Sequence, residues 1–182
     1  MQKKDTIAFD LGGVLSYRDL SSLNEEERFL LEVYMNRYKV QDRELLAYAT
    51  SKIPEIYLKI NHLRSDAEET LQMVKDEHLT PSIWTNNIGA IDVWFESVGL
   101  YKFVRREDIV NSFYIGVDKP NVEFYKKALE IIKKHKDLIL FFDDDAKNVE
   151  GAIKSGIESV HFDSARKLPE VLDEELRKIK KI

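Results

Sequence analysis

Five short apolar runs punctuate the chain, at residues 7–9, 82–84, 109–115, 138–142 and 159–162, and most give way to polar residues at their ends. Between the second and third runs, Ile91, Trp94, Phe95 and Val98 recur at helical spacing. Between the third and fourth, Phe124, Tyr125, Ala128, Leu129 and Ile132 do the same, with Pro120 where a helix start tolerates it. Strand alternating with helix predicts an α/β fold whose parallel sheet is joined by right-handed crossovers and covered on both faces. Residues 168–182 predict a last helix, with Val171, Leu172, Leu176 and Ile179 on one side and basic residues at its end, suited to its C-terminal dipole.

The rhythm breaks between residues 16 and 79, where no strand pattern is visible. Asn24 ahead of Glu25, Glu26 and Glu27 predicts a helix N-cap with acids in the first turn, followed by a stripe of Phe29, Leu30, Val33 and Tyr34. A second helix is predicted around residues 44–49 and a third piece near Pro54. Ser65 and Glu68 read as a capping box opening a helix through Val74. The interval predicts an all-helical insertion between the first and second strands.

In such sheets ligands bind beyond the carboxyl ends of the strands. Asp10, Thr85 and Asp143 each stand at such an end. The fourth run carries the strongest signal, because Leu138-Ile-Leu-Phe-Phe ends in Asp143, Asp144 and Asp145. Adjacent carboxylates beside a core strand repel one another and are costly to desolvate, which a cation relieves. Oxygen-only ligands select a hard ion such as Mg²⁺. Asp143 and Asp144, with Asn148 one helical turn on, supply such oxygens; a solvated acidic turn is the other account of the same run.

Three further positions acquire meaning from this one. Asp10, followed by Gly12 and Gly13, has the chemistry of a carboxylate nucleophile toward phosphorus, though Asp near Gly is also ordinary turn chemistry. Thr85 and Asn86 fit an anion site or a plain helix cap. Lys119 could neutralise both a transferring phosphoryl group and the carboxylates, or sit on the surface. Nucleophile, hydroxyl, lysine and acid cluster at successive strand ends form a set far more specific than any member, and phosphoryl transfer needs little else.

The chain has 182 residues, 43% apolar and 34% charged, with a net charge of −5. That length fits one domain with a modest insertion. The charge argues against nucleic acid as the main partner. The absence of cysteine excludes disulfides, thiolate zinc sites and a cysteine nucleophile, and suits a cytoplasmic setting. The opening Met-Gln-Lys-Lys resembles a signal peptide's charged start, but Asp10, Gly12 and Gly13 interrupt the apolar stretch behind it. No segment approaches the roughly 18 apolar residues of a membrane span. Oligomeric state is not legible.

The chain resembles the haloacid dehalogenase-like (HAD) hydrolase superfamily, in the branch with a small helical cap between motifs one and two. Phe9-Asp10-Leu-Gly-Gly-Val-Leu15 is similar to motif one, and Ile83-Trp-Thr85-Asn86 to motif two. Residues 112–125, around Lys119, resemble the stretch holding motif three, and residues 142–152 motif four. The resemblance implies a Rossmann-like core at residues 1–15 and 80–182, with a cap at 16–79. It implies Asp10 as nucleophile and Mg²⁺ ligand, Thr85 and Asn86 on the phosphoryl oxygens, and Lys119 steadying negative charge. Asp144 is implied as a further metal ligand, supported by Asp143 or Asn148 and the Gly12 carbonyl.

One position departs from the pattern. Most phosphatases of the family carry a general acid/base Asp two residues after the nucleophile, where this chain has Gly12. Asp118 and Tyr17 are near the motifs in sequence as other proton sources. The expected function is a Mg²⁺-dependent phosphatase of a small phosphorylated metabolite. A 2-haloacid dehalogenase and a phosphate-binding regulatory module are the alternatives. Substrate choice is expected in the cap, where Tyr17, Arg18, Tyr34, Tyr38 and Tyr48 are candidates alongside ordinary core and surface roles.

Overall fold

The computed structural model describes residues 4–180. Strands β1 (Thr6–Phe9), β4 (Thr80–Thr85), β5 (Ile109–Asn111), β6 (Ile139–Asp143) and β7 (Glu158–His161) form a parallel sheet in the order β5-β4-β1-β6-β7. The central strands β1 and β6 are buried throughout, which is why they read as unbroken apolar runs rather than as alternation.

Side-chain alternation divides them between two cores. Ile7, Phe9, Ile83, Leu140 and Phe142 face one layer, built from α3 (Ala67–Asp76), α4 (Ile91–Ser97) and α8 (Leu168–Lys180). Ala8, Trp84, Phe141 and Ile139 face the other, built from α6 (Val122–Ile132) and α7 (Ala146–Lys154). Phe9 stacks on Phe142 in the first layer and Trp84 on Phe141 in the second.

The order of strands places the switch point at β1, whose neighbours β4 and β6 are reached in opposite directions along the sheet. Phe9 pairs with Ile83 on one side and Phe142 on the other. That register sets Asp10 next to Asp143, and the Asp10 N–H donates to the Phe142 carbonyl at 2.8 Å. The crevice beyond this switch point is where an open α/β sheet takes ligands.

The excursion after β1 differs from its expected all-helical form. It leaves through β2 (Ser16–Arg18) and returns through β3 (Asn61–Leu63), which pair antiparallel, Ser16 opposite Leu63. Three residues per strand carry too little alternation to be read in advance. Within it, α1 (Glu25–Met35) begins with the expected cap, Asn24 and Glu27 bonding reciprocally. The pieces expected at 44–49 and near Pro54 are one helix, α2 (Arg43–Ile60). A proline inside a helix costs about 3 kcal/mol. Here Ala49, Ile53, Ile56, Tyr57 and Ile60 are all buried along the same helix, and that burial offsets the lost bond. Leu23, Leu30, Val33, Ala49, Ile56 and Ile60 make a separate small core.

Two further expectations shift. The run 109–115 is not one strand: β5 stops at Asn111, whose side chain accepts from the Phe113 N–H and starts the short α5 (Ser112–Ile115). The capping box at Ser65 is absent; Asp66 precedes α3 and makes no cap bond. Its carboxylate instead receives Arg64 at 3.0 and 3.2 Å and the Leu168 N–H at 2.9 Å, tying α3 to the start of α8. The buried side of α3 packs on the sheet layer, not on the α1–α2 core. The charged opening, residues 1–3, and the last two residues of the predicted C-terminal helix lie outside the described residues. No described helix is long and apolar enough to cross a membrane.

Candidate active site

The site is assembled where the carboxyl ends of β1 and β6 meet the loop after α5. Lys119, 1% exposed, donates its Nζ to Asp10 Oδ1 and to Asp143 Oδ2, both at 2.7 Å. Asp143 is fully buried and accepts twice more, from the Asn148 Nδ2 at 3.1 Å and the Asp145 N–H at 2.9 Å. Both oxygens of this buried anion have donors, Oδ1 two and Oδ2 only Lys119, so it is a fixed charge that holds the lysine in place and keeps lone-pair capacity on Oδ2. Tyr125, packed between α6 and the sheet, donates to the Asn148 carbonyl at 2.6 Å and fixes the start of α7.

Asp10 is 13% exposed and opens toward the crevice. Burial pushes its carboxyl up from 3.8 to about 6; Lys119 opposes that rise and Asp143 adds to it. Asp144 is exposed, and its carboxyl is also raised, by partial burial first and by Asp143 second. One oxygen from each of Asp10, Asp143 and Asp144 lies within 4.8 Å of the others. Three carboxylates against one ammonium leave two negative charges, the deficit a divalent cation fills. Only oxygen donors converge, so the residues fit a hard ion.

Gly13 makes the cluster possible. It has φ +79°, and a Cβ there would stand 2.0 Å from Asp144 Oδ2. Gly151 does the same for α7, where a Cβ would meet the Pro120 carbonyl at 2.4 Å. At Gly12, by contrast, a Cβ meets nothing within 4 Å.

Asn86 has an unexpected task. Its Oδ1 accepts the Lys119 N–H at 2.8 Å and its Nδ2 donates to the Lys119 carbonyl at 2.9 Å. This two-bond clamp joins the end of β4 to the lysine's backbone and occupies the side chain. Thr85 is buried at the end of β4, and its hydroxyl oxygen accepts a long bond of 3.5 Å from Asn87. Asn87 Oδ1 in turn accepts from the Tyr57 hydroxyl of α2 and from the Ile88 N–H at 2.9 Å. Asp10, Lys119, Asp143, Asp144 and Asn148 therefore converge, and Thr85 and Asn86 border them. Gly13 was visible as a glycine near Asp10, but its task of making room for Asp144 was not; Asn87 and Tyr57 were not anticipated, and of the two only Asn87, adjacent to Asn86, carried any hint.

Similar arrangements of chain occur in solved structures. A HAD-like family hydrolase from Porphyromonas gingivalis is 18% identical, with a TM-score of 0.70 over 97% of this chain and 99% of that one. A HAD-superfamily hydrolase of subfamily IA, variant 1, from Geobacter sulfurreducens is also 18% identical, with a TM-score of 0.66 over 93% and 95%. The chain has the HAD-like hydrolase fold. A dehalogenase shares it, with a TM-score of 0.60 and 17% identity over 87% of this chain and 84% of that one. No protein-family model and no curated protein matches the sequence. At such identities the likeness concerns the HAD-like fold, and the chemistry rests on the residues above.

Proposed function

We propose that the chain is a Mg²⁺-dependent phosphatase of a small phosphorylated metabolite, a member of the HAD superfamily acting through an aspartyl-phosphate on Asp10. The observation that carries this reading is the Lys119 ammonium bridging Asp10 and Asp143 beside Asp144. In it the segment within residues 16–79 that leaves the sheet after β1 closes over the crevice as a cap.

An Asp10 oxygen attacks phosphorus in line and the P–O bond to the ester oxygen breaks; a basic alkoxide takes its proton from solvent water, whereas an aryl oxygen leaves as the anion. Water then attacks the same phosphorus, the Asp10–phosphorus bond breaks, and phosphate and free Asp10 are released. Lys119 holds Asp10 in its ionised form and faces the charge that develops on the phosphoryl oxygens. Thr85 receives those oxygens through its hydroxyl. Asn86 does so through its backbone, since its side chain is engaged by Lys119. Asp10, Asp143 and Asp144 would hold Mg²⁺, with Asn148 and the Gly12 carbonyl in support. When bound, the ion neutralises charge on the transferring group.

Phosphate release from an aryl phosphate, with Mg²⁺ and with EDTA, tests the reading directly. Turnover is expected only with the metal. Halide release from a 2-haloacid, independent of metal, would establish the dehalogenase reading that the shared fold also admits; the acid cluster beside Asp10 disfavours it, since without a metal those acids are unneutralised and repel an anionic substrate. Metal-dependent ligand binding without turnover across a broad panel would establish the regulatory module.

Mg²⁺ is also expected to stabilise the fold, because an ion that binds only the folded chain adds about 2.7 kcal/mol at one hundred times its dissociation constant. For a chain of this size that is roughly 5–10 °C in a thermal melt. Asp144→Asn should shrink the increment; an equal increment in that variant would remove Asp144 from the metal site.

The open space at Gly12 supports a gain-of-function test. A Gly12→Asp side chain meets nothing within 4 Å of its Cβ, so the missing proton donor can be supplied. General acid–base help is worth about 10²–10⁴-fold. Turnover of an alkyl phosphate is expected to rise by about 10²-fold, and that of an aryl phosphate far less, because an aryl oxygen leaves without a proton. Equal effects on both substrates would show that leaving-group protonation is not limiting.

A further inference from the structure

A cavity of about 370 Å³ opens between the helical segment and the core, next to the candidate active site. Asn86, Asn87 and Asp118 line its core side; Arg18, Arg37 and Tyr57 line its outer side. It lies at the small end of ligand cavities, which run to about 1,000 Å³, so it suits a compact metabolite rather than a polymer.

Among the described residues its two arginines have no anionic partner. Arg37, half-buried, sits with its guanidinium 5.1 Å from the Tyr34 ring centre and 4.6 Å from that of Tyr38. It donates to the Tyr34 carbonyl at 3.5 Å and to the Tyr38 hydroxyl at 3.2 Å. Arg18 donates to the Tyr57 hydroxyl and to Asn61 Oδ1, each at 3.3 Å. Arg64 and Arg105 bind carboxylates, but among the described residues neither Arg18 nor Arg37 has an ion pair. Aromatic stacking fixes a guanidinium plane while leaving N–H edges available, the arrangement that receives a planar or tetrahedral oxyanion through two parallel bonds. The one carboxylate in the lining is Asp118, exposed and on the core side beside Lys119. Two guanidiniums against one carboxylate leave the cavity net positive.

We infer that the substrate carries a second anionic group, a carboxylate or a second phosphate, which Arg37 and Arg18 bind while its phosphoryl group faces Asp10. This rests on the phosphatase reading and specifies its substrate class. Leu31, Met35 and Ile60 also line the cavity, so a short carbon body between the two anions has apolar walls.

Three ligands that resist hydrolysis separate the possibilities: propylphosphonate, 3-phosphonopropionate and propane-1,3-bisphosphonate, titrated calorimetrically with Mg²⁺ present. Propylphosphonate reports the phosphoryl site alone, and the other two add a carboxylate or a second phosphonate. In the wild-type protein one or both are expected to bind at least tenfold tighter than propylphosphonate, and which one does so identifies the group. Arg37→Gln should erase most of that preference, Arg37→Lys should restore part of it, and Arg43→Gln, an exposed charge outside the cavity, should keep it.

Equal binding of all three ligands by the wild-type protein would overturn the inference while leaving the phosphatase reading intact. So would a preference that survives in both Arg37→Gln and Arg18→Gln. Absence of binding by any of the three, with no turnover of an aryl phosphate, would remove the phosphoryl site and both proposals with it.

Discussion

Asp10→Asn is expected to lower phosphate release by roughly 10⁴–10⁶-fold, the scale seen when a nucleophile is deleted from a machinery that otherwise stays in place. The amide is nearly isosteric with the carboxylate but cannot form the acyl phosphate. The Phe142 carbonyl bond to the residue 10 N–H is a backbone contact and survives. Loss of turnover with retention of fold is thus the expected pair of results. Turnover within tenfold of wild type would end the aspartyl-phosphate mechanism.

The same variant has an expected stability signature in EDTA. The Asp10 carboxyl is raised from 3.8 to about 6 in the folded chain, chiefly by burial. A raised acid stabilises the fold fully below its unfolded value and loses that contribution as pH climbs through the folded value. The window is therefore about pH 4–6. Above it wild type carries a buried anion that Asn does not, so Asp10→Asn should melt higher than wild type at pH 7.5. The gap should narrow toward pH 5, where the wild-type group takes up its proton. A gap that widens on acidification would contradict the assigned direction.

Lys119→Met should produce the largest structural effect. The methionine fills similar space but leaves Asp10 and Asp143 facing one another without their shared cation. Removing one member of a buried charge pair costs about 3–5 kcal/mol, because the remaining charge is stranded. At this chain length that is roughly 6–20 °C in melting temperature. Catalysis should fall as well, since nothing then faces the phosphoryl charge.

A second substitution separates the two roles. Asp143→Asn in the Lys119→Met background removes the stranded charge, so stability should recover substantially while activity stays absent. The two sites are in contact, and their effects should be far from additive. Additive losses of stability in the double variant would mean that Lys119 and Asp143 are not coupled as the 2.7 Å bond implies. Mg²⁺ should narrow the melting deficit of Lys119→Met, because added positive charge offsets the missing ammonium.

Sequence patterning alone determined the alternating α/β order, the buried central strands and the polar residues at their ends. Those features are local: five apolar residues before Asp143, or two glycines after Asp10, are visible without knowing what lies beside them. Parallel pairing then does the rest, since Phe9 opposite Phe142 sets Asp10 and Asp143 side by side across more than a hundred residues of chain. The short pair β2–β3, the continuity of α2 through Pro54 and the helical turn after Asn111 were not legible. Each depends on burial or a cap bond that outweighs a local preference.

At the site the division is similar. Asp10, Asp143 and Asp144 announced themselves because charged groups at apolar strand ends are conspicuous, whereas Lys119, in the loop after α5, gained meaning only from them. The Asn86 clamp on Lys119, the Cβ-free space that Gly13 leaves for Asp144, and the meeting of Arg18 and Arg37 in one cavity are properties of distant partners. An asparagine, a glycine or a surface arginine looks the same in sequence whatever it meets. Only the tertiary structure decides whether its hydrogen bonds are spent on the backbone, or held open for a ligand.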